Sequence, residues 1–199
     1  MMTAIVRIAL ALALFAAPGF AAEVGDDGLH KQPFLADTFL DMAEDLAEAN
    51  AAGKDLLVLV EQRGCPYCAE MHNVNFARED IVTAIEDNYL VVQLDMWGSR
   101  EVTDFDGRVM PEKDFVRSLG ASFTPTTLFF TMGDGEAPPT DALDALVFVL
   151  PGYFKPFHHL AALDYVSSDG YRDEPNFQRW LQARADRMRE EGQEVEIWQ

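Results

Sequence analysis

Cysteine is nearly absent from this 199-residue chain: there are two, and both fall in the pentapeptide Gly64-Cys65-Pro66-Tyr67-Cys68. A framework of disulfides joining distant segments is therefore excluded. Histidine is also scarce, with four residues. None forms a second ligand pair, and adjacent His158 and His159 would point in different directions on a helix. Zinc would need two further ligands at workable spacing. Basic side chains are few, 15 Lys and Arg against 34 Asp and Glu, for a formal net charge of −19. That balance argues against nucleic acid and anionic membrane surfaces as partners. Solubility explains such a charge, and so does selection for basic or neutral protein partners. Internal repeats and low-complexity tracts are lacking as well.

What is present begins with residues 1–22, which read as a secretory signal. Arg7 supplies the positive start, Ile8 to Ala17 the apolar segment, and Pro18-Gly19 a break before small residues, with cleavage expected after Ala21. The apolar segment is about 10 residues against the roughly 20 needed to span a bilayer, which argues against a retained anchor. No cysteine follows it, which argues against a lipid anchor. The expected location is periplasmic or secreted. In such an oxidising compartment disulfides form and persist, so a reductive catalyst there needs its own electron supply. With 49% hydrophobic residues the chain fills one core. The expected organisation is a leader over residues 23–35, one domain over 36–168 and a C-terminal helical extension over 169–199.

Along the domain, Asp37 or Thr38 is expected to cap a helix carrying Phe39, Met42, Ala43 and Leu46, ending before Gly53. Leu56 to Val60 is an apolar run of buried-strand type, and Ala69-Glu70-Met71-His72 begins a helix. Asn73 to Phe76 is expected to kink or interrupt that helix before Ile81 and Ile85. Tyr89 to Leu94 reads as a second strand, parallel to the first because a helix connects them. Met96 to Met110 reads as a long polar loop, pinned to the body by Trp97 and Phe105. A short helix follows Pro111, burying Phe115, Val116 and Leu119. Pro125 cannot donate to a sheet ladder and must begin the strand that runs to Thr131. Leu146 to Leu150 is its expected antiparallel partner. A helix follows Pro156, and another over Asn176 to Arg189 carries an apolar stripe of Phe177, Trp180 and Leu181 for docking. The tail from Glu190 frays or adds a strand.

Cys-x-x-Cys between a strand and a helix supports dithiol redox chemistry, because sulfurs on one helical turn close a disulfide with little backbone movement. The first sulfur sits at the helix start, where unpaired N–H groups favour a thiolate, the attacking species in disulfide exchange. Cys65 is expected to be reachable by solvent, with Cys68 just beneath it. A purely structural disulfide and a metal site are the other readings of such a pair. A non-catalytic binding protein is the corresponding functional rival.

The cysteine turn, followed about 60 residues later by Thr124-Pro125-Thr126 leading into an apolar strand, resembles the thioredoxin superfamily over residues 36–166. Within it the chain is similar to the secreted thioredoxin-like proteins of sulfur-oxidation gene clusters, the SoxW type. That closer likeness rests on Glu61 to Cys68, Val92 to Gly98, Thr103 to Gly107, Phe123 to Thr126 and Pro151-Gly152-Tyr153. The resemblance implies an α/β thioredoxin-like fold, a central mixed β-sheet flanked by helices, with the extra C-terminal helix added. It implies Cys65 and Cys68 as the catalytic dithiol, Pro66 and Tyr67 as residues that tune its potential, and Thr124 with a cis Pro125 as the substrate-binding strand end. Cys-Pro-Tyr-Cys also occurs in glutaredoxins, but the Gly-Gly pair that holds glutathione is missing after Pro125. Two residues of cytosolic thioredoxin are replaced here, its tryptophan before the first cysteine by Gly64 and its buried aspartate by Leu59. Glu61 is then the candidate for proton transfer, and His72 a weaker one. No cofactor beyond the redox-active disulfide is implied. Expected partners are protein thiols and disulfides and a membrane thiol-electron donor, and the chain is expected to be a monomer.

Overall fold

The computed structural model describes residues 23–135 and 137–195, so the secretory-signal expectation on residues 1–22 lies outside the described residues. Among the described residues six strands form, β1 (Asp55–Glu61), β2 (Tyr89–Asp95), β3 (Glu101–Thr103), β4 (Val109–Pro111), β5 (Thr126–Phe130) and β6 (Leu146–Pro151). Eight α-helices accompany them among the same residues: α1 (Met42–Ala51), α2 (Pro66–Glu70), α3 (Glu79–Asn88), α4 (Glu112–Ser118), α5 (Ala142–Ala145), α6 (Pro156–Ser167), α7 (Gly170–Asp173) and α8 (Phe177–Glu190).

The main sheet has the order β2-β1-β5-β6. β1 and β2 are parallel from Asp55↔Tyr89 to Glu61↔Asp95, β5 is antiparallel to β1, and β6 is antiparallel to β5. The mixed, helix-flanked sheet is thus the one expected. Both faces are covered, which is why β1 reads as a continuous apolar run and not as an alternation. Leu56, Val58 and Val60 pack with Met42, Leu46, Phe115 and Phe130 on one side. Leu57 and Leu59 pack with Met71, Ile81, Ile85 and Phe129 on the other. Fully burying each such side chain contributes roughly 1.5–3 kcal/mol, so this central strand anchors everything attached to its ends.

Three expectations are corrected. The cap of α1 is Asp41, whose carboxylate accepts from the Glu44 amide at 3.1 Å, and not Asp37 or Thr38. Phe39 consequently points away from the core and is 95% exposed. The cause is tertiary: Leu40 adopts a left-handed φ of 59° while its carbonyl accepts from the Thr103 amide, so Leu40 turns inward in place of Phe39. The stretch from Met96 to Met110 is not a plain loop but carries the β3–β4 hairpin, paired from Glu101↔Pro111 to Thr103↔Val109. Phe105 does pin it, stacking on Phe130 at 5.5 Å, whereas Trp97 stays exposed. Finally, the strand after Pro125 stops at Phe130 and not at Thr131.

The interruption expected after Cys68 is a π-helical turn, Met71–Asn75, between α2 and α3. α8 lays its stripe on the body: Phe177 meets Phe148 at 5.0 Å, Trp180 meets Tyr165 at 5.2 Å, and Arg184 pairs with Asp164. Beyond it the chain turns at Gly192, and residues 196–199 of the tail lie outside the described residues. The leader is not detached either, since the Ala36 amide donates to the Val91 carbonyl at 2.8 Å and Leu35 bridges Val91 beside β2.

Candidate active site

β1 ends at the still-buried Glu61, the chain reaches the surface at Arg63, and Gly64 turns it back with a φ of 71°, a value that suits glycine. Cys65 then caps α2. Its backbone is extended, Pro66 occupies the first helical position where no N–H is needed, and the Cys68 amide donates to Cys65 Sγ at 3.0 Å. Cys65 and Cys68 form a disulfide with their Cα atoms 5.2 Å apart. When the bond is reduced, that same amide and the helix start favour negative charge on Cys65 Sγ.

Both cysteines are buried, Cys68 fully and Cys65 at 4% exposure, so the solvent-reachable first sulfur expected from the sequence is not what the disulfide form presents. The Thr124 hydroxyl donates to Cys65 Sγ at 3.4 Å. The Thr124–Pro125 peptide is cis, and β5 starts at the next residue. Around this point three large apolar side chains are exposed, Tyr67, Trp97 and Phe123. Tyr67 stacks on Tyr153 with ring centroids 6.4 Å apart, and burial followed by the nearby Glu70 holds the Tyr153 phenol above its ordinary range. Trp97 donates its indole N–H to Gln62 Oε1 at 2.7 Å, which fixes it beside the cysteine turn.

Glu61 is 1% exposed and so is not a solvated strand-end carboxylate. Alternation along β1 puts its side chain on the face of Leu57 and Leu59, under the helix that bears the cysteines. There Oε1 meets His72 Nε2 at 2.9 Å, and Oε2 accepts from the amide of Gln93. The other ring nitrogen, Nδ1, meets Gln32 Nε2 at 3.2 Å. Sequence reading gave Gln93 and Gln32 no role. The signal was a polar side chain inside the apolar β2, for which burial demands a partner. His159, behind the π-helical turn, receives a hydrogen bond from Asn75 Nδ2 at Nδ1, 2.9 Å, and burial pushes its pKa down to about 4.

A parallel β1–helix–β2 unit, two antiparallel strands, a disulfide whose first cysteine caps a helix and a cis Thr124–Pro125 peptide whose threonine meets that cysteine define a thioredoxin-fold dithiol–disulfide protein. The chain belongs to the thioredoxin-like domain family, whose model matches residues 42–167. Among solved structures it is similar to a thioredoxin-fold protein from Helicobacter pylori, with a TM-score of 0.54 and 17% identity over 75% of this chain and 88% of that one. A thioredoxin from Thermus thermophilus matches with a TM-score of 0.48 and 22% identity, over 63% of this chain and 83% of that one. At these identities the first likeness is one of fold. No curated protein matches the chain significantly in sequence.

Proposed function

We propose that this chain is an exported thiol-disulfide oxidoreductase of the SoxW type, acting as a monomer in the periplasm or outside the cell and reducing protein disulfides. Its only redox group is the Cys65–Cys68 pair, with no added cofactor. The observation that carries this reading is that two donors, the Cys68 amide and the Thr124 hydroxyl, converge on Cys65 Sγ, the sulfur that caps α2.

The Cys65 thiolate attacks a client disulfide, forming a mixed disulfide and releasing one client thiolate. Cys68 loses its proton and attacks Cys65 Sγ, which expels the second client thiolate and leaves the disulfide. Two electrons pass from the dithiol to the client. Thr124 and Pro125 offer strand backbone to an extended client segment, and Tyr67, Trp97 and Phe123 supply apolar contact around it. Pro66 and Tyr67 set the relative stability of the thiolates. Glu61 is a buried carboxylate one residue beyond Val60, which pairs with Thr126, and it serves as the proton acceptor. Electrons come from a membrane thiol donor, and a sulfur-carrier protein with a blocked cysteine is the client class.

Insulin-disulfide reduction tests the chemistry. Wild type should catalyse it and Cys65→Ser should not, while Cys68→Ala should accumulate mixed disulfides that name the clients. No exchange by wild type would instead support a binding protein whose disulfide is structural. A redox titration with alkylation trapping tests the direction: a potential near −270 mV supports reduction, and one near −120 mV overturns it.

A further inference from the structure

A cavity of about 230 Å³ lies between the end of β2, α4 and the segment that leads into the cis-proline. Met96, Trp97, Val116 and Ala121 give it apolar walls, and Lys113 and Arg117 give it two cations. Val116 and Arg117 lie three and four positions after Lys113, so the three stand together on one face of α4. The carboxylates around them are largely committed. Asp114 takes Arg117 Nη1 at 2.8 Å, buried Glu112 is neutralised by Arg100 at 2.8 Å, and Asp95 Oδ1 accepts from the Trp97 amide at 2.9 Å. The Lys113 ammonium has no hydrogen bond or ion pair among the described residues. In a chain with 15 Lys and Arg against 34 Asp and Glu, this is a local excess of positive charge.

The cavity is tied to the reacting sulfur from two directions. Ser122 lies at its edge, two residues before Thr124, whose hydroxyl donates to Cys65 Sγ at 3.4 Å. Two residues span at most about 7 Å. From the other direction, Trp97 donates to Gln62 Oε1 at 2.7 Å, and the Gln62 carbonyl accepts from the Cys65 amide at 3.3 Å. In an extended client segment, side chains two positions apart share a face and stand about 6.6 Å from each other. A client whose cysteine meets Cys65 therefore brings the side chain two positions away to the mouth of this cavity.

We propose that this cavity is a specificity site that takes an acidic side chain two residues from the client cysteine, its carboxylate between Lys113 and Arg117 and its stem against Trp97 and Val116. The proposal rests on the oxidoreductase reading above and narrows its substrate class. Lys113 supplies a point charge, and Arg117 keeps the donors that Asp114 leaves unused. A lysine at that position of the client meets two like charges, and an apolar residue leaves both cations unmatched. The preference runs against the field of the whole chain, whose net charge of −19 repels acidic segments at long range. Its sign therefore separates recognition by the cavity from general electrostatics.

The test uses the reduced full-length protein and peptides that carry one cysteine as a mixed disulfide with thionitrobenzoate. Glu or Lys stands two positions before the cysteine in one pair of peptides and two positions after it in another, because the direction of the client strand decides which pair responds. The Cys65 thiolate attacks the peptide sulfur, the S–S bond breaks, and coloured thionitrobenzoate leaves with its electron pair. In one pair the Glu peptide should react about tenfold faster than the Lys peptide at low salt, with the ratio falling as salt is added. Joint Lys113→Gln and Arg117→Gln substitution should abolish or invert that ratio, which is internal to each protein and independent of the fraction folded. Arg189→Gln, on α8 across the sheet from α4, should leave it unchanged. Equal rates or a preference for Lys in both pairs would overturn the proposal, as would a Glu preference that survives the double substitution or falls as much with Arg189→Gln. A wild type that reacts with every peptide no faster than dithiothreitol does fails the oxidoreductase reading itself.

Discussion

Replacing Asp45 with asparagine should stabilise the protein at about pH 8 and leave its stability unchanged at about pH 4. Asp45 lies in α1 at 3% exposure, and its carboxylate accepts a hydrogen bond from the Thr38 hydroxyl at 3.0 Å. Burial is the main force raising its pKa from 3.8 to about 6; the Thr38 bond opposes it, and the charges of Asp41, Glu48 and Glu44 add to it. The native state therefore binds a proton more tightly than the unfolded chain does. Between pH 3.8 and about 6 it holds the extra proton, so stability falls as pH rises through this window and is flat above it. At about 1.36 kcal/mol per pH unit the rise corresponds to about 3 kcal/mol of destabilisation at neutral pH. Asparagine keeps an oxygen for Thr38 and removes the charge, so a gain of about 2 kcal/mol is expected once relaxation around the buried carboxylate is discounted. Urea unfolding of both proteins at the two pH values, with unchanged m, measures it. An Asp45→Asn variant that is less stable at the higher pH, or differs equally at both, would refute the assignment.

Other expectations follow from the core, the hairpin and the rim of the site. Phe129 is fully buried between Tyr89 and Phe148, each 5.7 Å away, so Phe129→Ala should lower the unfolding free energy by about 3–5 kcal/mol in urea. A Cβ at Gly98 would fall inside the Glu112 carboxylate, which is buried and accepts from the Asp95 amide and the Arg100 guanidinium. Gly98→Ala should therefore cost about 1–3 kcal/mol and speed amide exchange in the β3–β4 hairpin; protection equal to wild type would count against that packing. Trp97→Ala should raise KM for a protein disulfide by about tenfold with a smaller effect on kcat, and an unchanged KM would remove Trp97 from the client surface.

The parts of the fold legible in the sequence were those set by local pattern. Leu56 to Val60 could only be a strand covered on both faces, and the connecting helix made β1 and β2 parallel. Pro125, unable to donate, had to sit at a strand start. What escaped was decided by contacts between distant segments. Asp37, Thr38 and Asp41 are all adequate caps, and the bond from the Thr103 amide to the Leu40 carbonyl chooses among them. The hairpin from Glu101 to Pro111 has three-residue strands, too short for alternation to register, and it stands on Phe105 packing beneath it.

The same distinction governs the site. Its cysteines lie three residues apart in sequence, so a motif reveals them, whereas its polar interior is assembled by register. Glu61 faces Asp95 across the parallel pair, which puts Gln93, two residues earlier on β2, level with Leu59 and within reach of the Glu61 carboxylate. Glu61 and, more weakly, His72 stand out in the sequence through their spacing from the cysteines, whereas Gln32 and Gln93 signal no chemistry alone, because a glutamine is ordinary in a leader or a strand. Only the parallel pairing and the helix above it make them one group. A shift of β2 by a single residue would turn Gln93 to the opposite face of the sheet and leave Glu61 buried without that donor. The alignment of two apolar strands, fixed by Leu56↔Leu90, Val58↔Val92 and Val60↔Leu94, is therefore what keeps a carboxylate beneath the redox helix with its hydrogen bonds intact.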